Sequence, residues 1–425
     1  MAAFKGKVNS KNLKKAHIFK PRSFSDDSSP LCFFNLIFYL IGIRLSNSQT
    51  ELIKFFRNAS KDLNGALTVS ASALSQARRK LKHTVFIELN RFLCNLYYGM
   101  IEPKKWNGYR LVAIDGTTVS LPDEKEVVNF FGGWNARKGK STCPKGRGSV
   151  AYDPLNGITL DALLRPTKEG EETLFLKHLE YLKAGDLVLA DRGYAGFKLF
   201  SALIMNELKF CIRMPIKQFS VILKPFMEST KKDDYLVLTP NYSAKKQCEK
   251  SGIPATAIKI RVVKVILDNG DIEVLATTLT EDEAGVEDLK ELYHERWIVE
   301  ELYKDLKCKI RVECFSSKHK EGILQDFHGS IISMNLTKIF AYEASEEIEN
   351  EGVKEEYAHR VNVTNALSFF RDYFIEIVFS KDPLKIFRNI KQLLRRFSAP
   401  IRDGRSYPRK RKPKRIDFPL NYGVI

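Results

Sequence analysis

Between Arg110 and Pro215 the chain alternates short apolar runs with helical stretches, and two of those runs end in an aspartate. RLVAID (110–115) and LVLAD (187–191) read as buried strands, since uniformly apolar runs of this length fit a sheet covered on both faces. Between them, GSVAYDPLNGITLDALLRP (148–166) reads as two strands around a D-P-L-N-G turn. EETLFLKHLEYLK (171–183) and FKLFSALIMNEL (197–208) carry helical periodicity, and FCIRMP (210–215) is a fifth strand. Strand, strand, strand, helix, strand, helix, strand leaves few folds open. It implies an α/β layered structure with a mixed five-stranded sheet flanked by helices.

The alternation stops at residue 216. YLVLTP, AIKIRVVKVIL and IEVLATTL are β-type runs separated by turn signals such as Asp268-Asn269-Gly270. Residues 216–270 are therefore expected to be a β-rich insertion, with IEVLATTL returning to the main body. Residues 31–99 are helical, punctuated by Asn64-Gly65, and 321–398 are mainly helical again. The expected segments are 1–105, a helical region with a basic arm; 106–215 with 271–345, the core; 216–270, the insertion; and 346–425, a helical region with a basic tail.

Charge narrows the partners. The chain has 69 Lys+Arg against 51 Asp+Glu, a formal net charge of +18 over 425 residues, which favours a polyanion and above all nucleic acid. Residues 1–22 hold seven Lys/Arg and no acid, and RDGRSYPRKRKPKR (402–415) is a basic tail suited to non-specific phosphate contact. TVSASALSQARRKLK (68–82) opens on cap residues and turns basic. It is either a recognition helix presenting Gln76, Arg78, Arg79 and Lys80 to DNA, or a solvated helix face. Seven scattered cysteines with no C-x-x-C pair point to reduced thiols in a cytoplasmic compartment and away from a zinc module. The most apolar run, LCFFNLIFYLIGI (31–43), is too short to cross a bilayer and reads as a buried helix.

Asp115 and Asp191 close the first and fourth strands, and ligands of open α/β sheets gather at the carboxyl ends of strands. If those strands are parallel neighbours, two carboxylates meet, and a hard cation such as Mg²⁺ resolves their mutual repulsion. Each acid also has an ordinary reading: a turn for Asp-Gly, a helix cap for Asp191. The stretch YHERWIVEELYKDLK (293–307) follows the last strand, in a helix expected to begin near Glu283. At about 100° per residue, Arg296, Glu300 and Lys307 stand at roughly 300°, 340° and 320° from Tyr293, one stripe of the helix. Arg and Lys beside a carboxylate suit a phosphodiester, whereas an Arg296–Glu300 surface pair would be the ordinary alternative.

The spacing Tyr293-x2-Arg296-x3-Glu300-x6-Lys307 resembles the Y-R-E-K signature of DDE transposases of the insertion-sequence-4 family. DGTT at Asp115 and ADRGY at Asp191 look like that family's two acidic motifs, and the β-type sequence before Glu300 resembles its insertion. The resemblance covers roughly 106–345. It implies an RNase H-like catalytic core in which Asp115, Asp191 and Glu300 hold two Mg²⁺ ions, with Mn²⁺ able to substitute. It also implies that Tyr293, Arg296 and Lys307 grip transposon-end phosphates. The implied partners are the element's terminal repeats and a target DNA, handled by a dimer in a bacterial cytoplasm, with no membrane. A domesticated DNA-binding protein without chemistry and a structure-selective RNase H-like nuclease are the competing expectations.

Overall fold

The structure is a computed structural model that describes residues 1–60, 69–135, 142–267, 270–352 and 357–402. Asn64-Gly65, Asp268-Asn269 and all but the first residue of the basic tail lie outside the described residues. The chain divides into two compact units, one made of 1–97, 119–146 and 304–425, the other of 98–118 and 147–303.

The fold is mixed α/β. The strands of the main sheet are β1 (Leu111–Ser120), β2 (Gly133–Asn135), β3 (Thr142–Asp153), β4 (Ile158–Pro166), β5 (Leu187–Ala190), β6 (Lys209–Met214), β7 (Asp233–Leu238), β8 (Ile258–Ile266) and β9 (Ile272–Thr277). They form one nine-stranded sheet in the order β2-β3-β1-β5-β6-β9-β8-β7, with β4 also paired to β3. At its centre β1, β5 and β6 run parallel, Leu111 opposite Leu187 through Ile114 opposite Ala190, and Leu187 opposite Lys209 through Ala190 opposite Ile212. Leu111–Ile114 and Leu187–Ala190 are fully buried, which explains why both stretches carry only apolar side chains. The hairpin β3–β4 turns at Asp153, whose carbonyl accepts from Gly157 N–H at 2.8 Å; Gly157 takes a φ of +69°, which suits a residue without a side chain.

Three expectations are corrected here. β1 does not stop at Asp115 but runs on through Gly-Thr-Thr-Val-Ser, a β-prone stretch lying beside the long strand β3. The 216–270 segment contains two helices, Ser220–Glu228 and Tyr242–Lys250, besides its strands. Its strands β7 and β8 extend the main sheet through β9, which is antiparallel to both β6 and β8. The basic arm expected over residues 1–22 is folded onto the protein: Ala2–Val8 and Lys11–Ala16 are short helices whose Phe4, Val8 and Leu13 are buried.

In the unit holding both chain ends, a 32-residue helix, Lys320–Glu351, is buried along nearly every residue from Gly322 to Thr337. The helices Phe33–Ile41, Val363–Phe379 and Pro383–Arg396 pack on it. The first of these is the apolar run of 31–43, buried as its composition requires. The contact is closest at Gly329, where a Cβ would lie 2.5 Å from the Leu40 carbonyl oxygen. The long helix passes unbroken through the expected boundary at 345/346. No described helix is long and apolar enough to cross a membrane.

Candidate active site

The parallel ladder of β1 and β5 ends at the pair Ile114–Ala190, so Asp115 and Asp191 are the next residues in register on adjacent strands. Neighbouring strands stand about 4.8 Å apart, and the two backbones therefore present their aspartates side by side. Asp115 is held from both sides of its backbone. Gly116 N–H donates to its Oδ1 at 2.8 Å, and its carbonyl accepts from Tyr303 Oη at 2.6 Å and Ser149 Oγ at 3.4 Å. Burial pushes the Asp115 carboxyl up to about 6, and the charges of Glu300 and Asp191 push the same way. The Gly116 N–H and the Arg296 guanidinium oppose that rise.

The motif stretch is not one continuous α-helix. Val286–His294 is followed by a 3-10 turn, Glu295–Trp297, and then by Ile298–Cys308. A 3-10 turn advances about 120° per residue, so Glu300 and Lys307 are rotated by roughly 60° from an uninterrupted wheel. The first helix begins at Val286, later than the expected Glu283, because Asp288 Oδ2 accepts from Gly285 N–H at 2.8 Å and fixes the start there.

Tyr293 is buried and its Oη donates to Asp191 Oδ1 at a long 3.4 Å. Arg296 is only 5% exposed, with its guanidinium 5.7 Å from the Tyr293 ring centroid and 5.1 Å from that of Trp297. One of its terminal nitrogens meets Glu300 Oε1 at 3.4 Å. The spacing is that of an i,i+4 surface pair, but the arginine is interior, where an exposed ion pair's few tenths of a kcal/mol is the wrong scale. Burial opposes the Arg296 charge, and Tyr293, Asp191, Asp115 and Glu300 together outweigh it. Glu300 itself is more open, its side chain 38% exposed. The structure thus brings Asp115, Asp191, Tyr293, Arg296 and Glu300 into one electrostatic neighbourhood within a single unit. Lys307 lies in the other unit, 3.9 Å from Glu313.

Among the described residues no three His, Cys, Asp or Glu side chains are gathered as a ready-made metal shell. The chemistry of the donors nevertheless suits a hard dication: all are carboxylate oxygens, and at Asp115 burial, with the charges of Glu300 and Asp191, disfavours the negative charge by more than Arg296 offsets. Glu300 is turned to Arg296.

The four N-terminal candidates separate. Ala71–Arg78 is helical, with Ser70 Oγ accepting from Ala73 N–H at the start, and Arg79 and Lys80 fall beyond its last turn. Gln76, Arg79 and Lys80 are exposed, with Arg79 Nη2 lying 2.8 Å from His319 Nε2. Arg78 departs from the expectation of an outward side chain: it is buried and bonded to Asp326, Gln325, Ser316 and the Gly322 carbonyl. Asp326 also binds Arg44 at 2.7 Å, so Arg78 belongs to an interior ion cluster. A basic run on a short helix does not reveal which cation turns inward.

Sequence reasoning missed a buried relay beneath Asp115. His178 Nδ1 lies 2.6 Å from Asp161 Oδ2, and its Nε2 lies 2.9 Å from Ser149 Oγ. The three residues are spread over 29 positions and nothing in their local spacing joins them. Tyr303, by contrast, follows Glu300 by three residues and was within reach of the motif reading.

Residues 106–336 match the family described as Transposase DDE domain, more than half of the chain. The chain belongs to the DDE transposase family. The matched stretch of this DDE-family chain contains Asp115, Asp191, Tyr293, Arg296, Glu300 and Lys307 and leaves out the four N-terminal candidates. A relative, transposase InsG for insertion sequence element IS4 of Escherichia coli (strain K12), is 24% identical over 289 residues, 66% of this chain and 63% of the relative. The insertion-sequence-4 resemblance read from the motifs accords with it. The alignment thus spans less than two thirds of that curated relative. The cryo-EM structure of the piggyBac transposase synaptic complex with hairpin DNA is similar at a TM-score of 0.44 and 10% identity, covering 92% of this chain and 84% of that one.

Proposed function

We propose that this DDE-family chain binds the terminal inverted repeats of its own insertion sequence and catalyses metal-dependent strand cleavage and strand transfer by in-line attack on a phosphodiester. The observation that carries the reading is the register of β1 and β5, which puts Asp115 and Asp191 side by side, with Arg296 buried where it feels both of them and Glu300. An RNase H-like core is the finer fold reading, supported by the β4-β3-β1-β5-β6 portion of the sheet, in which β1, β5 and β6 are parallel. Residues 106–215 with 271–345 would form that core.

Asp115, Asp191 and Glu300 would hold two Mg²⁺ ions, Mn²⁺ substituting, and the ions would supply the charge that activates an attacking water or 3′-hydroxyl and steadies the leaving oxygen. The protein's own part is positioning. Gly116 N–H and Tyr303 Oη fix Asp115, and Glu300 exchanges its contact with Arg296 for its role beside the aspartates. Arg296 and Tyr293 face the scissile strand, the guanidinium serving as a planar donor for phosphate oxygens. Arg296 Nε has no hydrogen-bond partner among the described residues, so a donor remains for that use. Lys307, Gln76, Arg79 and Lys80 are further DNA contacts in this reading, and a dimer would hold two ends together.

The test is cleavage of duplex DNA carrying the element's terminal repeats, with Mg²⁺ or Mn²⁺. Asp115→Asn, Asp191→Asn and Glu300→Gln are each expected to lower the cleavage rate at least about 10²-fold, the scale of removing a principal charge-stabilising group, while repeat binding persists. Wild-type cleavage in any of the three refutes the triad. Equal cleavage of scrambled duplexes favours a structure-selective nuclease, and binding without any cleavage favours a silent DNA-binding protein.

A further inference from the structure

Tyr194 is 4% exposed, and its hydroxyl has no hydrogen-bond partner among the described residues. Buried hydroxyls are nearly always paired, because an unpaired one forfeits its water without replacement. This one stands in a telling place. It closes the 3-10 turn Arg192–Tyr194 directly after Asp191, its ring tilted against Phe175 with centroids 5.2 Å apart. A Cβ on Gly116, the residue after Asp115, would lie 3.2 Å from Tyr194 Oη and 3.6 Å from Glu171 Cγ. The absence of a side chain at 116 therefore leaves the hydroxyl beside the Asp115 backbone. Burial, and next the Asp115 charge, hold the phenol well above its ordinary range, so it keeps its proton and serves as a donor.

Glu171 flanks the same point, and its carboxylate is drawn away to Arg147, 3.0 Å distant, in a pair whose side chains are 29% and 52% exposed. Such exposed pairs are weak and part readily. A DNA phosphate is a stronger partner for Arg147 than a solvated carboxylate, since two N–H groups can meet two oxygens. Occupation of Arg147 by phosphate would free Glu171 to swing from the space in front of Tyr194.

We infer that the Tyr194 hydroxyl donates a hydrogen bond to a non-bridging oxygen of the phosphodiester that reacts beside Asp115, and that the Arg147–Glu171 pair covers it until DNA arrives. The inference rests on the reading of Asp115 as a catalytic residue. It makes Tyr194 a substrate-contacting group of the second acidic motif.

Tyr194→Phe deletes the hydroxyl and keeps the ring. Its melting temperature is expected to equal or exceed that of wild type, because an unpaired buried oxygen is removed, and its affinity for repeat-ended DNA is expected to stay within about twofold. Cleavage is expected to slow about 10²- to 10³-fold, the scale of one lost donor to a reacting oxygen. A melting temperature several degrees lower would show that the hydroxyl has an internal partner, and cleavage at the wild-type rate would show that it contacts no reacting group. Either result overturns the inference. Asp115→Asn in the same assay separates the two levels. If it is inactive while Tyr194→Phe is wild-type-like, only the hydroxyl's role fails; if it cleaves, or if wild type does not, the catalytic reading fails and this inference with it.

Discussion

Glu283 gathers three separate stretches with one carboxylate: Tyr109 just before β1, Lys209 at the start of β6 and Thr280 N–H in the loop after β9. Partial burial pushes its carboxyl up, but the Tyr109 hydroxyl, the Thr280 N–H and Lys209 outweigh this and bring it to about 2. A depressed acid contributes stability above its unfolded value and loses it as pH falls toward the folded one. Glu283 therefore supports the fold above about pH 4.5 and ceases to as pH drops toward 2. With its side chain 27% exposed, solvent screening limits the contribution to about 1 kcal/mol. Glu283→Gln is expected to lower the unfolding free energy by that amount at pH 7, with the gap to wild type narrowing between pH 5 and 3 in urea titrations. A gap independent of pH would assign the loss to packing instead. Residues of this kind show where reading a sequence stops. Asp115, Asp191 and Glu300 stand out in the sequence as candidates because motifs travel in short windows, and Arg296 was visible as a charge but not as a buried one. Glu283 reaches Tyr109 174 positions away and His178 reaches Asp161 17 positions away, and no local pattern records such pairs.

Elements were legible where periodicity was strong and partners were near. The strands at 111–114, 187–190 and 209–214 and the helix at 33–41 follow directly from apolar pattern and length. The errors have physical causes. β1 overran Asp115 because β3 offers it a long partner, and the motif helix acquired a 3-10 turn at Glu295–Trp297, which an ideal wheel cannot show. The segment 216–270 hid two helices, one containing Pro225, a residue that ordinarily argues against a helix interior. The close contact at Gly329 gives an element-scale prediction. Gly329→Ala would drive a methyl against the Leu40 carbonyl, and the helices Phe33–Ile41 and Lys320–Glu351 must shift apart. Overpacking of this kind costs about 1–3 kcal/mol, to be read by equilibrium denaturation. No loss of stability would mean that this contact is loose.

At the scale of the whole molecule, and on the proposed function, the net charge of +18 would set how the protein meets DNA before any motif engages. Residues 403–425 hold seven Lys/Arg, and ending the chain after Arg402 is expected to flatten the dependence of log K on log salt by roughly 2–5 units for non-specific duplex. Anisotropy titrations between low and physiological salt measure that slope, and an unchanged slope would place the phosphate contacts elsewhere. The division into two units was not legible in the sequence, because each is assembled from non-contiguous stretches. That discontinuity has a consequence for synthesis. Arg78 is made 248 residues before Asp326, the carboxylate that neutralises it inside the fold. At about 5–20 residues per second, roughly 12–50 s separate the two on the ribosome. Arg78 therefore leaves the exit tunnel as a buried-to-be cation still uncompensated, and its surroundings reach their final packing only once the helix carrying Asp326 has been translated.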